Sequence, residues 1–284
     1  MSGLLAGKRI VVTGAARGLG RPMATALVRE GAQVLFTATD RMALQEAVEQ
    51  SGGTADQTAI HVANLASPNE VDSVIDAAHR AFGGVDVLVN NAGVSVGSLR
   101  SDFWQNPLRY WDVPDADFRK FFEINLFQAA RLIALVTPEM RARQWGRIVN
   151  VTTSLSTMLA SGIGPYGCSK AALEALTSTM AGDLAGSGVT ANVLAPGGPA
   201  DTRMIPDGAG VAREALIPAD CMAAPMVWLA SNASDGVTGK RFLGVKWDAK
   251  LPPDEAAAKA GAAVAWTGFG DQAKMPDRGS QRAE

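Results

Sequence analysis

The sequence predicts an α/β fold built on a doubly wound parallel sheet, and three observations lead to that prediction. Short β-branched runs alternate with helical segments, which is the order of a parallel sheet with right-handed crossovers. The runs are almost continuously apolar, as expected of strands that are covered on both faces. Neither an internal repeat nor a linker rich in Pro and Gly precedes residue 248, so we expect one domain over residues 1–248.

The predicted elements follow one another in strand–helix order. Strands are expected at residues 9–13, 33–37, 58–62, 85–90, 147–152 and 189–195. Helices are expected at residues 19–30, 42–50, 68–82, 116–143 and 165–182. Proline is favoured in the first helical turn, where its missing N–H leaves no helical hydrogen bond unmade, so Pro165 marks the start of the last helix.

Residues 249–284 have a different composition from the rest of the chain. They are rich in Ala, Gly, Pro and charged residues, with one apolar cluster, AVAWTGF. We expect this C-terminal extension either to dock through Trp266 and Phe269, on this chain or on a partner subunit, or to stay mobile.

The composition excludes several classes of protein. The 284 residues are 47% hydrophobic and 19% charged, which indicates a globular chain, and the net charge of −2 predicts neither a nucleic-acid nor a membrane partner. Two cysteines and two histidines are too few for a disulfide framework or a metal cluster, so no metal is expected. We see no signal peptide and no membrane-spanning run, so a cytoplasmic location is expected.

A glycine-rich loop joins the first predicted strand to the first helix. In VTGAARGLG, residues 12–20, the glycines are Gly14, Gly18 and Gly20. Such glycines let the backbone approach a pyrophosphate, and the helix N-terminus supplies N–H donors and positive potential. The spacing G-x3-G-x-G differs from G-x-G-x-x-G, so an ordinary turn that caps a helix remains the alternative.

A tyrosine and a lysine lie four residues apart in YGCSK, residues 166–170. Residues at this spacing share one face of a helix, so Tyr166 and Lys170 can point into the same space. The pair by itself is weak support for a reactive site, because it also occurs by chance.

Together with four other segments, these motifs resemble the short-chain dehydrogenase/reductase family in its compact single-domain form, which has a Rossmann fold. The resemblance covers about Lys8 to Asp248, and its motifs occur in the family's order. The matching segments are TGAARGLG (13–20), NNAG (90–93), FFEINL around Asn125, GRIVNVTTS (146–154), YGCSK (166–170) and NVLAPGG (192–198).

The resemblance implies an NAD(P)-dependent oxidoreductase that interconverts a secondary alcohol and a ketone. It assigns Tyr166 as general acid/base, Lys170 as the group that lowers the pKa of Tyr166 and holds the nicotinamide ribose, and Asn125 as the support of a water relay to Lys170. A lysine cation ~4 Å from the phenolate, at an effective dielectric constant of ~20, would stabilise it by about 4 kcal/mol, or roughly three pKa units. Two alternatives are a non-redox lyase or epimerase on the same fold and a non-catalytic nicotinamide-sensing protein.

The family's catalytic serine falls at Thr153 in this chain, next to Ser154. A threonine hydroxyl can donate the same hydrogen bond, although its methyl group crowds the pocket and stiffens χ1. We favour Thr153 over Ser154 because neighbouring residues of a strand point to opposite faces.

Several residues are expected to bind the cofactor. Arg17 can reach a 2′-phosphate and Thr39 can hydrogen-bond to it, whereas Asp40 and Arg41 have opposing effects, so we favour NADP(H) over NAD(H). Asn64 falls where the family contacts adenine. The other cofactor contacts implied by the resemblance are Gly14, Gly18, Leu19, Gly20, Asn91, Ala92, Gly93, Tyr166, Lys170, Pro196, Gly197 and Thr202.

The segment between Gly93 and Asn125 is longer than is usual in the family. It carries four aromatic residues, Phe103, Trp104, Tyr110 and Trp111. They can line an apolar pocket beside the nicotinamide, which would suit an apolar or ring-bearing carbonyl or alcohol substrate, or they can form a packed or oligomer-contacting loop. The resemblance also implies a homodimer or homotetramer.

Overall fold

Eight strands form one sheet in the computed structural model, which describes residues 3–266. They are β1 (Arg9–Thr13), β2 (Gln33–Ala38), β3 (Thr58–Val62), β4 (Val87–Asn90), β5 (Gly146–Val151), β6 (Val189–Ala195), β7 (Lys240–Leu243) and β8 (Gly261–Ala263). The spatial order is β3-β2-β1-β4-β5-β6-β7-β8, with β1 to β7 parallel and β8 antiparallel to β7. The predicted doubly wound parallel sheet is therefore confirmed, and its order reverses between β1 and β4.

Helices cover both faces of the sheet. They are α1 (Gly20–Arg29), α2 (Arg41–Ser51), α3 (Pro68–Phe82), α4 (Asp115–Phe122), α5 (Gln128–Ala142), α6 (Leu155–Met158), α7 (Gly164–Asp183), α8 (Ala223–Ala230) and α9 (Pro253–Ala260).

Strand β1 shows how the two helical layers share the sheet. Ile10 and Val12 belong to the hydrophobic core under α1, α2 and α8, whereas Val11 belongs to the core under α3, α5 and α7. This alternation explains why the strand is apolar throughout.

The single helix predicted over residues 116–143 is interrupted. A π-helical turn, Glu123–Phe127, separates α4 from α5 without a break in the chain's helical path. The turn places Asn125 in the interior, where it is 1% exposed. Single π-helical turns are common at functional sites, and an apolar periodicity cannot show where one occurs.

The C-terminal part of the described chain packs against the sheet. Strand β8 pairs with β7, with Arg241 opposite Ala262, and the indole N–H of Trp228 in α8 donates to Asp254 of α9 at 2.8 Å. Val264 is buried, but Trp266, which we expected to dock, is 37% exposed. Phe269 lies outside the described residues, and the division of the chain at residue 248 stays a prediction.

Strands β7 and β8 were not predicted, because KRFL and GAA are short and lack β-branched residues. Within residues 3–266, every helix is too short or too polar to cross a bilayer.

Substitution of Gly20 by Ala should destabilise the fold, because a Cβ there would lie 2.1 Å from the carbonyl oxygen of Gly14. We expect the free energy of unfolding to fall by about 2 kcal/mol or more, as for overpacked sites. Urea unfolding followed by circular dichroism measures the change. Gly182→Ala in α7 is the matched control, because its Cβ would meet nothing within 4 Å, and it should be neutral or stabilising by up to about 1 kcal/mol. Equal losses in both variants would contradict the argument.

Candidate active site

A cleft opens at the carboxyl ends of the parallel strands, where ligands bind in open α/β sheets. Its cavity has a volume of about 820 Å³, and the loops that follow β1 to β6 form its walls. Tyr166 and Lys170 of α7 also line it, together with Thr153, which follows β5. The predicted glycine loop and the predicted catalytic helix thus share one cavity.

Hydrogen bonds from Thr13 shape the bottom of this cleft. The Thr13 hydroxyl accepts from the backbone N–H groups of Asn91 and Ala92, at 2.9 and 3.0 Å, and donates to the carbonyl of Val89 at 3.2 Å. The Asn91 side chain donates in turn to the carbonyls of Thr13 and Gly14, at 2.8 and 3.2 Å. The glycine loop and the NNAG segment therefore form one bonded unit, in which Thr13 is a residue that our sequence analysis missed.

The glycine loop leaves a site for an anion at the start of α1. Gly14 has a φ of +67°, and a Cβ there would lie 2.9 Å from the side-chain nitrogen, Nδ2, of Asn91. The first turn of α1 carries no acidic residue, and Leu19 at its N-cap gives it no side-chain cap. The first N–H groups of the helix are therefore available to a phosphate oxygen.

The Thr153 side chain lies close enough to Tyr166 to form a hydrogen bond with its phenol. Burial raises the pKa of Tyr166 above its ordinary value, and the bond with Thr153 opposes this rise. The pKa of Tyr166 is therefore raised overall, opposite to the expected direction, because burial disfavours the phenolate more strongly than Thr153 favours it. That Lys170 stabilises the phenolate stays a prediction.

Lys170 is almost fully buried on the same helix face. Its ammonium donates to the carbonyl oxygen of Val151 at 2.8 Å, and burial lowers its pKa to about 8. A Cβ at Gly93 would lie 3.3 Å from Lys170 Nζ. The glycine therefore lets the loop after β4 pass close to the lysine.

Asn125 lies behind the cavity wall instead of lining it. Its side-chain oxygen accepts from the Val94 N–H at 2.9 Å, and its nitrogen donates to the Val94 carbonyl and to the Ser169 hydroxyl, at 3.1 and 2.9 Å. It thereby joins the loop after β4 to α7. The predicted water relay from Asn125 to Lys170 stays a prediction.

Ser154, the alternative to Thr153, caps a helix. Its hydroxyl accepts from the Thr157 N–H at 3.1 Å and contacts the hydroxyls of Ser156 and Thr157 at 3.0 and 2.8 Å. Thr153 is the one of the two whose side chain reaches Tyr166.

Most of the residues expected to bind cofactor line the cavity. Gly20 does not, because it packs against the Gly14 carbonyl, and Gly197 contacts Val245 instead, with a φ of +105°. Those that line it are Gly14, Arg17, Gly18, Leu19, Thr39, Asn64, Asn91, Ala92, Gly93, Tyr166, Lys170, Pro196 and Thr202.

Two arginines meet at the end of the cavity that is formed by the loops after β1 and β2. Arg17 was predicted there, whereas Arg203, from the loop after β6, was missed although it directly follows Thr202. Neither arginine forms an ion pair within residues 3–266. Asp40 also lines this end, but its carboxylate accepts from the Ala43 N–H at 3.1 Å and caps α2.

The other end of the cavity is mainly apolar. Phe103 and Trp104 line it, whereas Tyr110 and Trp111 are 70% and 69% exposed and do not. Two of the four aromatic residues that were predicted to line an apolar pocket therefore do so. Further lining residues at this end are Val94, Ser95, Val96, Ser98, Pro107, Ile124, Ser156, Thr157, Ile163, Met204 and Ile205.

A buried ion pair behind Thr153 was also missed. Arg241 Nε donates to Glu174 Oε1 at 2.7 Å, and neither side chain is more than 8% exposed. The sequence held a signal for Glu174, which follows Lys170 by four residues on the same face of α7. It held none for Arg241, which lies on a strand that was not predicted.

The residues of the cleft fit a nicotinamide dinucleotide. The uncapped start of α1 suits its pyrophosphate, and the glycines there leave room for close approach. The cavity continues from this point to Tyr166 and Lys170, so a ring placed beside them would adjoin the apolar end. Within residues 3–266, no cluster of side chains could hold a metal ion.

Comparison with known proteins gives the same family. Residues 8–207 match the family model for short chain dehydrogenase. The 3-oxoacyl-(acyl-carrier-protein) reductase FabG of Salmonella typhimurium is 31% identical over 242 residues, which cover 82% of this chain and 94% of that protein. The chloroplastic NADPH-dependent aldehyde reductase-like protein of Arabidopsis thaliana is 34% identical over 218 residues, or 72% and 76% of the two chains. A solved structure of a short chain dehydrogenase/reductase family protein is 30% identical, with a TM-score of 0.72 over 84% of this chain and 96% of that one.

The matched region contains both halves of the cleft. Residues 8–207 include the glycine loop at one end and Tyr166 and Lys170 at the other. They make up well over half of the 284 residues. The chain therefore belongs to the short-chain dehydrogenase/reductase family, and it is an NAD(P)-dependent oxidoreductase that acts on CH–OH and C=O groups.

Proposed function

We propose that this enzyme interconverts a secondary alcohol and a ketone, with Tyr166 as the general acid and base and NADP(H) as the preferred cofactor. The observation that carries the proposal is the placement of Thr153 beside Tyr166 in the same cavity as Lys170 and the start of α1. A cofactor-free lyase would have no need for the dinucleotide site, and a non-catalytic sensor would have no need for the proton donor.

NAD(P)H, when bound, supplies a hydride from its nicotinamide ring to the carbonyl carbon. The chain must then hold and protonate the carbonyl oxygen, which gains negative charge. The Thr153 hydroxyl and the Tyr166 phenol provide two adjacent hydrogen-bond donors for that oxygen. Tyr166 passes its proton from Oη to the nascent alkoxide, and alcohol oxidation reverses this transfer.

The electrostatics of the site suit the reductive direction at neutral pH. The raised pKa of Tyr166 keeps the phenol protonated, so it is ready to donate. The pKa of Lys170, lowered to about 8, still leaves most of the amine charged at pH 7. The Lys170 cation can therefore stabilise the phenolate that remains after the proton has left.

The preference for NADP(H) rests on the two arginines at the far end of the cleft. The guanidinium groups of Arg17 and Arg203 are free of ion pairs within residues 3–266, so both are available to a 2′-phosphate. Asp40 is the carboxylate that would favour a ribose hydroxyl, but it serves as the cap of α2.

The lining of the apolar end indicates an uncharged substrate. Across the described residues, the charged side chains that line the cavity are those of Arg17, Asp40, Lys170 and Arg203. Three of these lie at the arginine end, and the fourth is the lysine of the catalytic helix. A substrate carboxylate would lose its hydration without gaining a partner, so a neutral apolar or ring-bearing ketone fits better.

The assembly and the location of the enzyme also belong to this proposal. We retain a homodimer or homotetramer as a prediction from the resemblance and a cytoplasmic location as a prediction from the sequence. Phe127, which is 54% exposed at the junction of the π-helical turn with α5, is an apolar side chain that subunit contact could cover.

The variant Tyr166→Phe should lose reductase activity because it lacks the donated proton. We expect kcat to fall by about 10²- to 10⁴-fold, the usual contribution of general acid catalysis, with NADPH affinity changed less than about threefold. Steady-state kinetics and nicotinamide fluorescence titration measure the two quantities. Tyr110→Phe removes the other tyrosine, which is 70% exposed, and should leave both unchanged. Turnover retained in Tyr166→Phe would overturn the mechanism.

The arginines should discriminate between the two cofactors. For Arg17→Ala and Arg203→Ala, we expect NADPH affinity to fall about tenfold or more, because a hydrogen bond to a charged group contributes roughly 1.5–3 kcal/mol. NADH affinity should change less than about threefold. Parallel fluorescence titrations with both cofactors test this, and Arg29→Ala, which alters an exposed residue outside the cavity lining, is the control. Tighter binding of NADH than of NADPH by the unmodified enzyme would refute the preference.

Trp104 should contribute to substrate selection. We expect kcat/KM for a neutral cyclic ketone to exceed that for an oxo acid of similar size by about tenfold or more. Trp104→Ala should lower kcat/KM for the cyclic ketone about tenfold, since apolar pocket contacts contribute ~1–3 kcal/mol. NADPH consumption with paired substrates is the measurement. Trp111→Ala, which alters an exposed residue outside the lining, is the control. A preference for the oxo acid would contradict the proposed substrate class.

A further inference from the structure

The backbone that carries Thr153 lies beyond the end of its strand. Strand β5 ends at Val151. The next residue, Thr152, still bonds to β6, because its N–H donates to the Leu194 carbonyl at 3.2 Å. The Thr153 carbonyl accepts instead from Arg241 Nη2 at 3.0 Å. A guanidinium group therefore holds the chain where the sheet no longer does.

Arg241 reaches this carbonyl from a distant strand. It lies on β7, and β6 separates β7 from β5 in the sheet. Adjacent strands are about 4.8 Å apart, so the extended side chain and the hydrogen bond at its end together span about 10 Å, which suits a long residue such as arginine. Because the guanidinium has several donors in a fixed plane, it can bind two acceptors at once.

Glu174 binds the same arginine and the neighbouring threonine. Its Oε1 accepts from Arg241 Nε at 2.7 Å, and its Oε2 accepts from the Thr152 hydroxyl at 2.9 Å. The carboxylate is 0% exposed, so its charge is held entirely inside the protein. A buried ion pair adds little net stability compared with apolar residues of the same volume, and its better-attested use is to specify one conformation.

The C-terminal extension supplies a further donor to this carboxylate. The backbone N–H of Ala265 donates to Glu174 Oε1 at 3.3 Å. Ala265 has a φ of +55°, a left-handed conformation that is uncommon for a residue other than glycine. The pairing of Arg241 with Ala262 in β7 and β8 brings the extension to this place.

We propose that Glu174, Arg241 and the Ala265 N–H form a positioning unit that holds the Thr153 hydroxyl against Tyr166. The β-branched side chain of threonine has a stiff χ1, so its hydroxyl follows any movement of its backbone. The unit thus connects the end of the described chain with the catalytic phenol through contacts on both sides of Thr153. Its catalytic meaning rests on the proposed function, but the geometry that it maintains can be tested without turnover.

The test uses the two tyrosines of the chain as spectroscopic probes. In protein labelled with ¹³C at tyrosine Cζ, Tyr110→Phe assigns the two resonances, and the remaining one reports the hydrogen bond of Tyr166. Thr153→Val keeps the shape of the side chain, removes the hydroxyl and defines the shift for the lost bond. We expect Arg241→Met, which keeps the apolar stem of the side chain without the guanidinium donors, to move the Tyr166 resonance in that same direction by at least half of that shift.

A pair of substitutions in the extension tests its part in the unit. Ala265→Pro removes the N–H donor and, because its ring fixes φ at about −65°, also the left-handed backbone conformation of residue 265. We expect it to move the Tyr166 resonance in the same direction as Arg241→Met. Ala265→Gly keeps the N–H donor, and glycine adopts the positive φ without strain. The Tyr166 resonance of this variant should therefore stay in place. This pair also keeps the proposal testable if Arg241→Met fails to fold, which circular dichroism would reveal. Lys259→Met breaks an exposed ion pair with Asp248 in the same extension and is a second control.

The outcomes separate this proposal from the proposed function. If Thr153→Val moves the Tyr166 resonance but Arg241→Met and Ala265→Pro do not, the positioning unit is refuted, whatever the reaction is. If all three move it and no carbonyl compound is reduced, the unit stands and the proposed reaction fails. Where a ketone is reduced, Arg241→Met should lower kcat about tenfold while NADPH affinity stays within about threefold.

Discussion

The cleft depends on the hydrogen bonds that join β1 to β4, where the order of the sheet reverses. Strands to either side of this point send their connections in opposite directions, and a gap opens between the two loops. The Thr13 hydroxyl and the Asn91 side chain join these loops at their bases, so the gap persists without collapsing. The glycine loop, the passage beside Lys170 and the apolar end of the cavity are all arranged around this junction.

Burial at the catalytic helix has opposing consequences for Tyr166 and Lys170. It raises the pKa of the phenol and lowers that of the ammonium, so the charged form of each group is disfavoured. Reduction is compatible with this arrangement because it begins with a neutral phenol. Oxidation requires the phenolate, so a hydrogen bond from the Thr153 hydroxyl and the charge of Lys170 become important in that direction.

Local patterns in the sequence predicted the sheet, the glycine loop and the shared face of Tyr166 and Lys170, because each depends on residues close together in the chain. The π-helical turn around Asn125 escaped prediction, since apolar periodicity does not register one extra residue per turn. Arg203 and Arg241 were missed because their neighbours come from distant segments. The sign of the Tyr166 pKa shift was also wrong, because spacing shows which charge is near but not how much water is removed.

The three-residue strand β8 has a consequence for solubility. An uncovered β7 would offer a row of free backbone donors and acceptors to another chain, which is a route to aggregation. Strand β8 covers that row and forms a new edge that is short and carries only the small side chains of Gly261, Ala262 and Ala263. Such an edge is a poor template for further strands, so the C-terminal extension also protects the sheet against edge-to-edge association between molecules.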